Sequence, residues 1–159
     1  MAGDTVEGMS PRLLFRLFAF AELITWAGLI TALILRGTGV SDAWVTPAGG
    51  VHGFVFLAYC VVTVLVWIDA RWHLSWGALG LASAVIPFAT LPFELSVDRR
   101  GMLPARWRLA PAGERPRGWW EHVLAWVLRR PWLALLLLAV AVTAVFLLLL
   151  WVGPPVPKS

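Results

Sequence analysis

The sequence predicts an all-α membrane protein: four transmembrane helices in a bundle, with an interfacial amphipathic helix before the fourth. Three observations predict it. Of 159 residues, 60% are apolar and 14% charged, against about 45–50% and about 25% in a soluble domain. Four stretches each reach the roughly 20 apolar residues that cross about 30 Å of hydrocarbon. Between the third and fourth, eight of the twelve arginines gather in one wet segment. Cys60 is alone, glycine has no three-residue period and hydropathy is high, so a disulfide scaffold, collagen and disorder are excluded. There is no Asn or Gln and only one lysine, Lys158. This is GC-rich coding, which points to a bacterial source.

The stretches divide the chain into an N-terminal tail (1–12), a three-helix transmembrane domain (13–94), a basic linker with an interfacial helix (95–131), a fourth transmembrane helix (132–152) and a C-terminal tail (153–159). Ser10 and Pro11 open the first span with a hydroxyl cap and a proline at the first turn; Arg36 and Gly37 close it. The second begins at Thr46 or Pro47 and ends at Ile68, before Asp69, Arg71 and His73. The short turn after it makes the third span, Leu74 to Phe93, antiparallel. Pro87 and Pro92 remove backbone donors there and predict a kink. The fourth, Trp132 to Val152, carries Thr143 as its only polar side chain and is stopped by Gly153, Pro154, Pro155 and Pro157.

The linker holds Arg99, Arg100, Arg106, Arg108, Arg115, Arg117, Arg129 and Arg130, a surface for anionic lipid headgroups or a cytoplasmic partner. From Gly118 to Arg130, a narrow polar stripe of Glu121, His122, Ala125 and Arg129 is flanked by Trp119, Trp120, Trp126 and aliphatics, as in a helix lying in the headgroup plane. The alternative is a kinked extension of the fourth span through Pro131. Other tryptophans, such as Trp44, Trp67, Trp72, Trp76 and Trp151, fall near span ends, as in an interfacial belt. With four full spans, Arg12, Arg16, Arg71 and Lys158 lie on one side, and Arg36 with the eight linker arginines on the other. The positive-inside rule then puts the linker in the cytoplasm and both termini outside, in a bacterial inner or plasma membrane. Arg12 and Arg16 around the first span argue the reverse. The long first apolar run, with no small-residue cleavage pattern after it, is expected to stay in the protein.

Ionisable groups in apolar spans are costly and point to a site. Glu22 lies about 13 Å into the first helix at 1.5 Å per residue, so it is protonated, paired or facing a polar cavity. Arg16 reaches the boundary by extending its stem. His52 in the second span comes within reach of Glu22 through a water or Thr25, and Glu94 is expected to meet His52. Tyr59 lies two turns further on nearly the same face. Glu22, His52, Tyr59 and Glu94 thus form an expected intramembrane polar centre, either functional or a packing device of interhelical hydrogen bonds. Gly28, Gly53 and Pro87 are expected to shape helix packing.

Phe15-Arg16, Ala21-Glu22, Trp26, Gly28-Leu29, His52-Gly53, Phe56, Ala58-Tyr59, Pro87-Phe88, Thr90 and Glu94 together resemble the small bacterial integral-membrane family marked by a His-Gly dipeptide, domain of unknown function 3817. The resemblance covers about Arg12 to Glu94. Ala89 stands where that pattern has glycine. It implies architecture and singles out His52, but it carries no reaction.

No phosphate-cradling glycine loop, nucleophile elbow or His-Glu-x-x-His helix occurs. His52, His73 and His122 lack ligand spacing on one helix and Cys60 has no thiol partner, so neither a metal nor any other cofactor is expected. The arginines are not interleaved with aromatics on a soluble domain, so nucleic acid is not an expected partner. The expected function is a non-enzymatic accessory or structural subunit of a membrane complex, in contact with the bilayer and with a membrane-protein partner or further copies of itself. The alternatives are a small proton or solute channel or transporter subunit using Glu22 and His52, and a membrane-embedded lipid enzyme.

Overall fold

The computed structural model describes residues 9–111, 113–133, 136 and 140. Most of the expected fourth span and all of the C-terminal tail lie outside the described residues, as do residues 1–8.

The described residues are helical, without strands: α1 (Pro11–Gly37), α2 (Val45–Ala70), α3 (Leu74–Val85), α4 (Thr90–Arg99) and α5 (Trp119–Arg129). Both α1 and α2 are long and apolar enough to cross a bilayer. Ser10 caps α1 by accepting from the Leu13 N–H at 3.1 Å, with Pro11 in the first turn. Arg71 closes α2 in the left-handed region at φ 51°. The two helices pack antiparallel along their length.

The third apolar stretch is not one continuous helix: α3 ends at Val85 and α4 begins at Thr90. Pro87 lacks an N–H and forces the residue before it out of the helical region, and Ile86 is extended at φ −93°, ψ 119°. Phe88 then takes φ 66°, Ala89 N–H bonds Ile86 C=O at 3.1 Å, and the chain reverses. Pro92 sits in the first turn of α4, where an absent N–H costs nothing because that turn has no intrahelical acceptor. The two prolines therefore act differently: the first breaks a helix and the second starts one.

The contacts fix the direction of each arm. Along α3, Gly77 lies against Trp67, Gly80 against Thr63, and Ser83 Oγ bonds Tyr59 OH at 2.9 Å, so α3 runs antiparallel to α2. Along α4, Thr90 Oγ1 donates to Ala19 C=O at 3.0 Å, Glu94 pairs with Arg16 at 2.8 Å, and Asp98 pairs with Arg12 and Arg16, so α4 runs antiparallel to α1. The twelve residues of α3 reach about 18 Å at 1.5 Å per residue. The hairpin thus turns about halfway along the α1–α2 pair and comes back.

This corrects the expected topology. The linker lies at the same end as the N-terminus: Arg12 N–H bonds Pro104 C=O at 3.3 Å and Trp107 Nε1 donates to Met9 C=O at 2.9 Å. A cytoplasmic linker with an outside N-terminus is incompatible with these contacts. The physical reason is the turn at Pro87, which returns the chain where a kink would have let it continue.

Two cores result. Phe15, Tyr59, Trp72 and Phe93 form an aromatic cluster with centroids 5.5 to 6.2 Å from Phe15, closed by Ala19, Val66 and Val97. A smaller core seats Leu124, Ala125 and Leu128 of α5 on Leu65 and Ile68 of α2 with Leu109 and Trp107. α5 ends at Arg129, and Arg130 leaves the helical region at φ −137°, ψ 60°, so the chain breaks before Pro131. Trp119, Trp120 and Val123 remain exposed. The expected polar stripe does not face solvent as a unit: Ala125 is buried, and Glu121 turns inward to Arg71 and Arg108.

Candidate functional site: an intramembrane acid and imidazole

Two antiparallel helices carry the site. The side chain of Glu22 is completely buried and His52 keeps 11% of its side chain accessible. Thr25, one turn from Glu22, stands between them. Its Oγ1 is 3.2 Å from His52 Nδ1, 3.5 Å from Glu22 Oε2 and 3.1 Å from Glu22 C=O, three alternative partners for one hydroxyl proton. His52 Nδ1 lies 3.8 Å from Glu22 Oε2. Glu22 Oε1 is buried without a hydrogen-bond partner. The Trp26 ring sits 4.4 Å from the His52 ring, and its Nε1 donates to Ala84 C=O at 3.2 Å, which ties the site to the last turn of α3.

Of the four residues expected in the polar centre, the structure joins Glu22 and His52 through Thr25. Tyr59 bonds Ser83, while its neighbour Thr63 donates to Tyr59 C=O at 2.8 Å. Glu94 does not meet His52. The hairpin carries it to the N-terminal end of α1, where Arg16 Nε donates to Oε1 at 2.8 Å and Oε2 stays buried and unpartnered.

The glycines also differ from expectation. A Cβ at Gly28 or Gly53 meets nothing within 4 Å, so neither makes a close helix contact. The close approaches are at Gly77, where a Cβ would overlap the Trp67 ring, and at Gly80, where it would lie 2.8 Å from Thr63 Cγ2. Gly28 instead borders a groove of about 560 Å³ between α1 and the start of α2, lined also by Thr25, Thr31, Ala32, Trp44 and Ala48.

At the linker end, Asp69 is completely buried and accepts from the Arg108 and Leu109 N–H groups at 3.0 and 3.1 Å. Arg108 folds back, donating through Nε to Asp69 C=O at 2.7 Å and through Nη2 to Glu121 at 2.9 Å. It is thus a structural clamp, not a lipid-facing charge. Burial pushes the Glu121 carboxyl up, but the Arg117 N–H, Arg71 and Arg108 outweigh it and hold Glu121 at about 2. The Arg12 guanidinium, with Arg16, holds Asp98 below the usual carboxylate range. Arg99, Arg106, Arg115, Arg117, Arg129 and Arg130 are exposed, and Arg100, also exposed, lies over the Trp76 ring at 5.0 Å.

Sequence reasoning missed Asp69, Gly77, Gly80, Ser83 and Thr90. A signal existed for the glycines: their three-residue spacing puts both on one helical face. Asp69 looked like a span terminator because its acceptors serve a segment 39 residues away.

Two membrane-length helices, a half-depth hairpin and an acid–imidazole pair between the helices define a helical integral membrane protein. The chain belongs to the family described as domain of unknown function (DUF3817), which matches residues 13–99. It is 36% identical over 107 residues to the membrane protein SCO5905 of Streptomyces coelicolor, a match spanning 65% of this chain and 13% of that protein. It is 35% identical over 89 residues to the uncharacterized membrane protein YdzA of Bacillus subtilis, spanning 56% of this chain and 78% of that one. The chain thus aligns with about an eighth of the Streptomyces protein's length. No solved structure matches.

Proposed function

We propose that this protein is a non-enzymatic accessory or structural subunit of a bacterial membrane complex, and that the hairpin tip is where a partner membrane protein sits. The observation that carries this reading is the exposure of the tip. Val85 is 64% and Ile86 58% exposed, in non-helical or helix-ending backbone about halfway along the spanning pair. Irregular backbone at bilayer depth persists only when covered by protein or facing water, because lipid offers it no hydrogen bond. The apolar side chains of Val85, Ile86 and Phe88 favour protein as the cover. The Streptomyces relative fits this reading, since there the matching unit occupies 13% of a much longer membrane protein.

The hairpin supports one orientation. Arg12, Arg16, Arg71 and all eight linker arginines share one end and Arg36 alone lies at the other. The positive-inside rule places the N-terminus and linker together in the cytoplasm. There the exposed arginines and the Trp119–Trp120 face of α5 meet anionic headgroups.

Photo-crosslinkers at Ile86 and, as a lipid-facing control, at the exposed Leu57 of α2 test the subunit reading in native membranes. The expected result is a discrete adduct of one larger membrane protein from position 86 only. Lipid adducts from both positions would overturn it.

A further inference from the structure

We propose that Glu22, Thr25 and His52 form a proton-exchanging site open only toward the linker-distal end of the helix pair, through the groove bordered by Gly28. The inference goes beyond the subunit reading and does not depend on it.

The geometry toward the linker is closed. Phe15, Ala19 and Tyr59 are each 0% exposed. The hairpin is pinned over them by the bonds Trp26–Ala84, Tyr59–Ser83 and Thr90–Ala19. Toward the other end the helices part. An open, mostly apolar groove of about 560 Å³ runs there, and the hydroxyls of Thr25 and Thr31 on its wall supply polar partners for water. Thr25 is the contact between groove and site, since the same Oγ1 lies 3.2 Å from His52 Nδ1.

The oxygens of Glu22 support a single shared proton. Ionised Glu22 would leave Oε1 buried with no donor, and an unpaired buried charge is costly. With the proton on the carboxyl, His52 Nδ1 is free to accept from Thr25. In the exchange step the Glu22 O–H bond breaks, the proton passes by the Thr25 hydroxyl or a water, and an N–H bond forms at Nδ1, giving carboxylate and imidazolium. The reverse step restores both. The other titratable groups that act on Glu22 are Tyr59 and Cys60 on α2; Arg16 on α1 is engaged by Glu94 of α4 at 2.8 Å and by Asp98, and α3 contributes none.

The test is infrared hydrogen–deuterium exchange on the full chain in nanodiscs. Glu22→Gln identifies the carboxylic C=O band. We expect that band to exchange in the parent protein, and to exchange at least tenfold more slowly in Gly28→Leu, whose side chain enters the groove where a Cβ meets nothing. Ala48→Leu narrows the opposite wall and serves should Gly28→Leu lose helicity by circular dichroism. Thr90→Val, which removes the hairpin's bond to Ala19 C=O without touching Glu22, Thr25 or His52, should leave the rate unchanged. The proposal is overturned by the absence of a Glu22-dependent carboxylic band, by parent-like exchange in both groove-filling variants, or by Thr90→Val accelerating exchange.

Discussion

Gly77 and Gly53 are both helical glycines in apolar surroundings, and the fold assigns them opposite roles. At Gly77 a methyl group would overlap the Trp67 ring, whose Nε1 donates to Trp72 C=O at 2.9 Å; at Gly53 a methyl meets nothing within 4 Å. For Gly77→Ala, overpacking costs about 1–3 kcal/mol and displacing the indole forfeits about 1 kcal/mol of hydrogen bonding. The gain in helix propensity offsets about 1 kcal/mol. The net loss is about 1–3 kcal/mol, a fall of roughly 2–12 °C at the 2–4 °C per kcal/mol typical of a chain this size. Gly53→Ala keeps only the gain, about 0.5–1 kcal/mol, and melts a few degrees higher. Thermal unfolding in one detergent, followed by circular dichroism, measures both. Equal melting temperatures, or the reverse order, would refute the antiparallel seating of α3 on α2 and with it the half-depth hairpin.

Three further outcomes follow from the same contacts. Single cysteines at Ser10 and Ala105 in a Cys60→Ser background should both react with an impermeant thiol reagent from the same face of the membrane and Thr38→Cys from the other; Ser10 and Ala105 labelling from opposite faces would contradict the bonds between the N-terminus and the linker. Because Glu121 is held at about 2 in the folded protein, against about 4.3 when free, its contribution is present above about pH 4.3 and is lost as pH falls toward 2; the protection of α5 amides relative to their intrinsic exchange rates should fall across that window, and Glu121→Gln should flatten the fall while lowering protection at neutral pH. Arg16→Glu should destabilise α4 by placing a third carboxylate beside Glu94 and Asp98, and Arg16→Glu with Glu94→Arg should recover part of that loss, an interaction a double-mutant cycle in thermal unfolding would read as non-zero.

The spans α1 and α2 were legible because hydropathy over about 20 residues is a local quantity, and so were the Ser10 cap and the meeting of Glu22 with His52 through Thr25. The hairpin was not. Leu74 to Phe93 is as apolar as a span needs, and a proline inside it is compatible with either a kink or a reversal. What decides is non-local: Glu94 and Asp98 find Arg16 and Arg12, 78 and 86 residues away. Gly28 and Gly53 were misread for a related reason. A glycine in an apolar helix signals a close approach only if another element arrives there, and the hairpin arrives at Gly77 and Gly80.

The charge distribution shows why the chain returns. Were residues 74–93 to cross the bilayer, Glu94 and Asp98 would stand about 30 Å from Arg12 and Arg16. A carboxylate as buried as Glu94, which is 0% exposed, would then lack its cation, and breaking such a pair costs about 3–5 kcal/mol where both partners are buried; the half-exposed Arg16 lowers that figure. The reversal pairs these charges and lets Ser83 and Thr90 bond to α2 and α1. It also removes the conflict in the positive-inside count. With three full crossings before the linker, Arg12 and Arg16 oppose the linker arginines; with a hairpin, eleven of twelve arginines share one end. Local pairing and global orientation then favour the same topology, and the cost is an irregular turn at Ile86–Ala89 that lipid cannot satisfy. That exposed point is where the proposed role seats a neighbouring membrane protein, which would cover the irregular backbone from lipid.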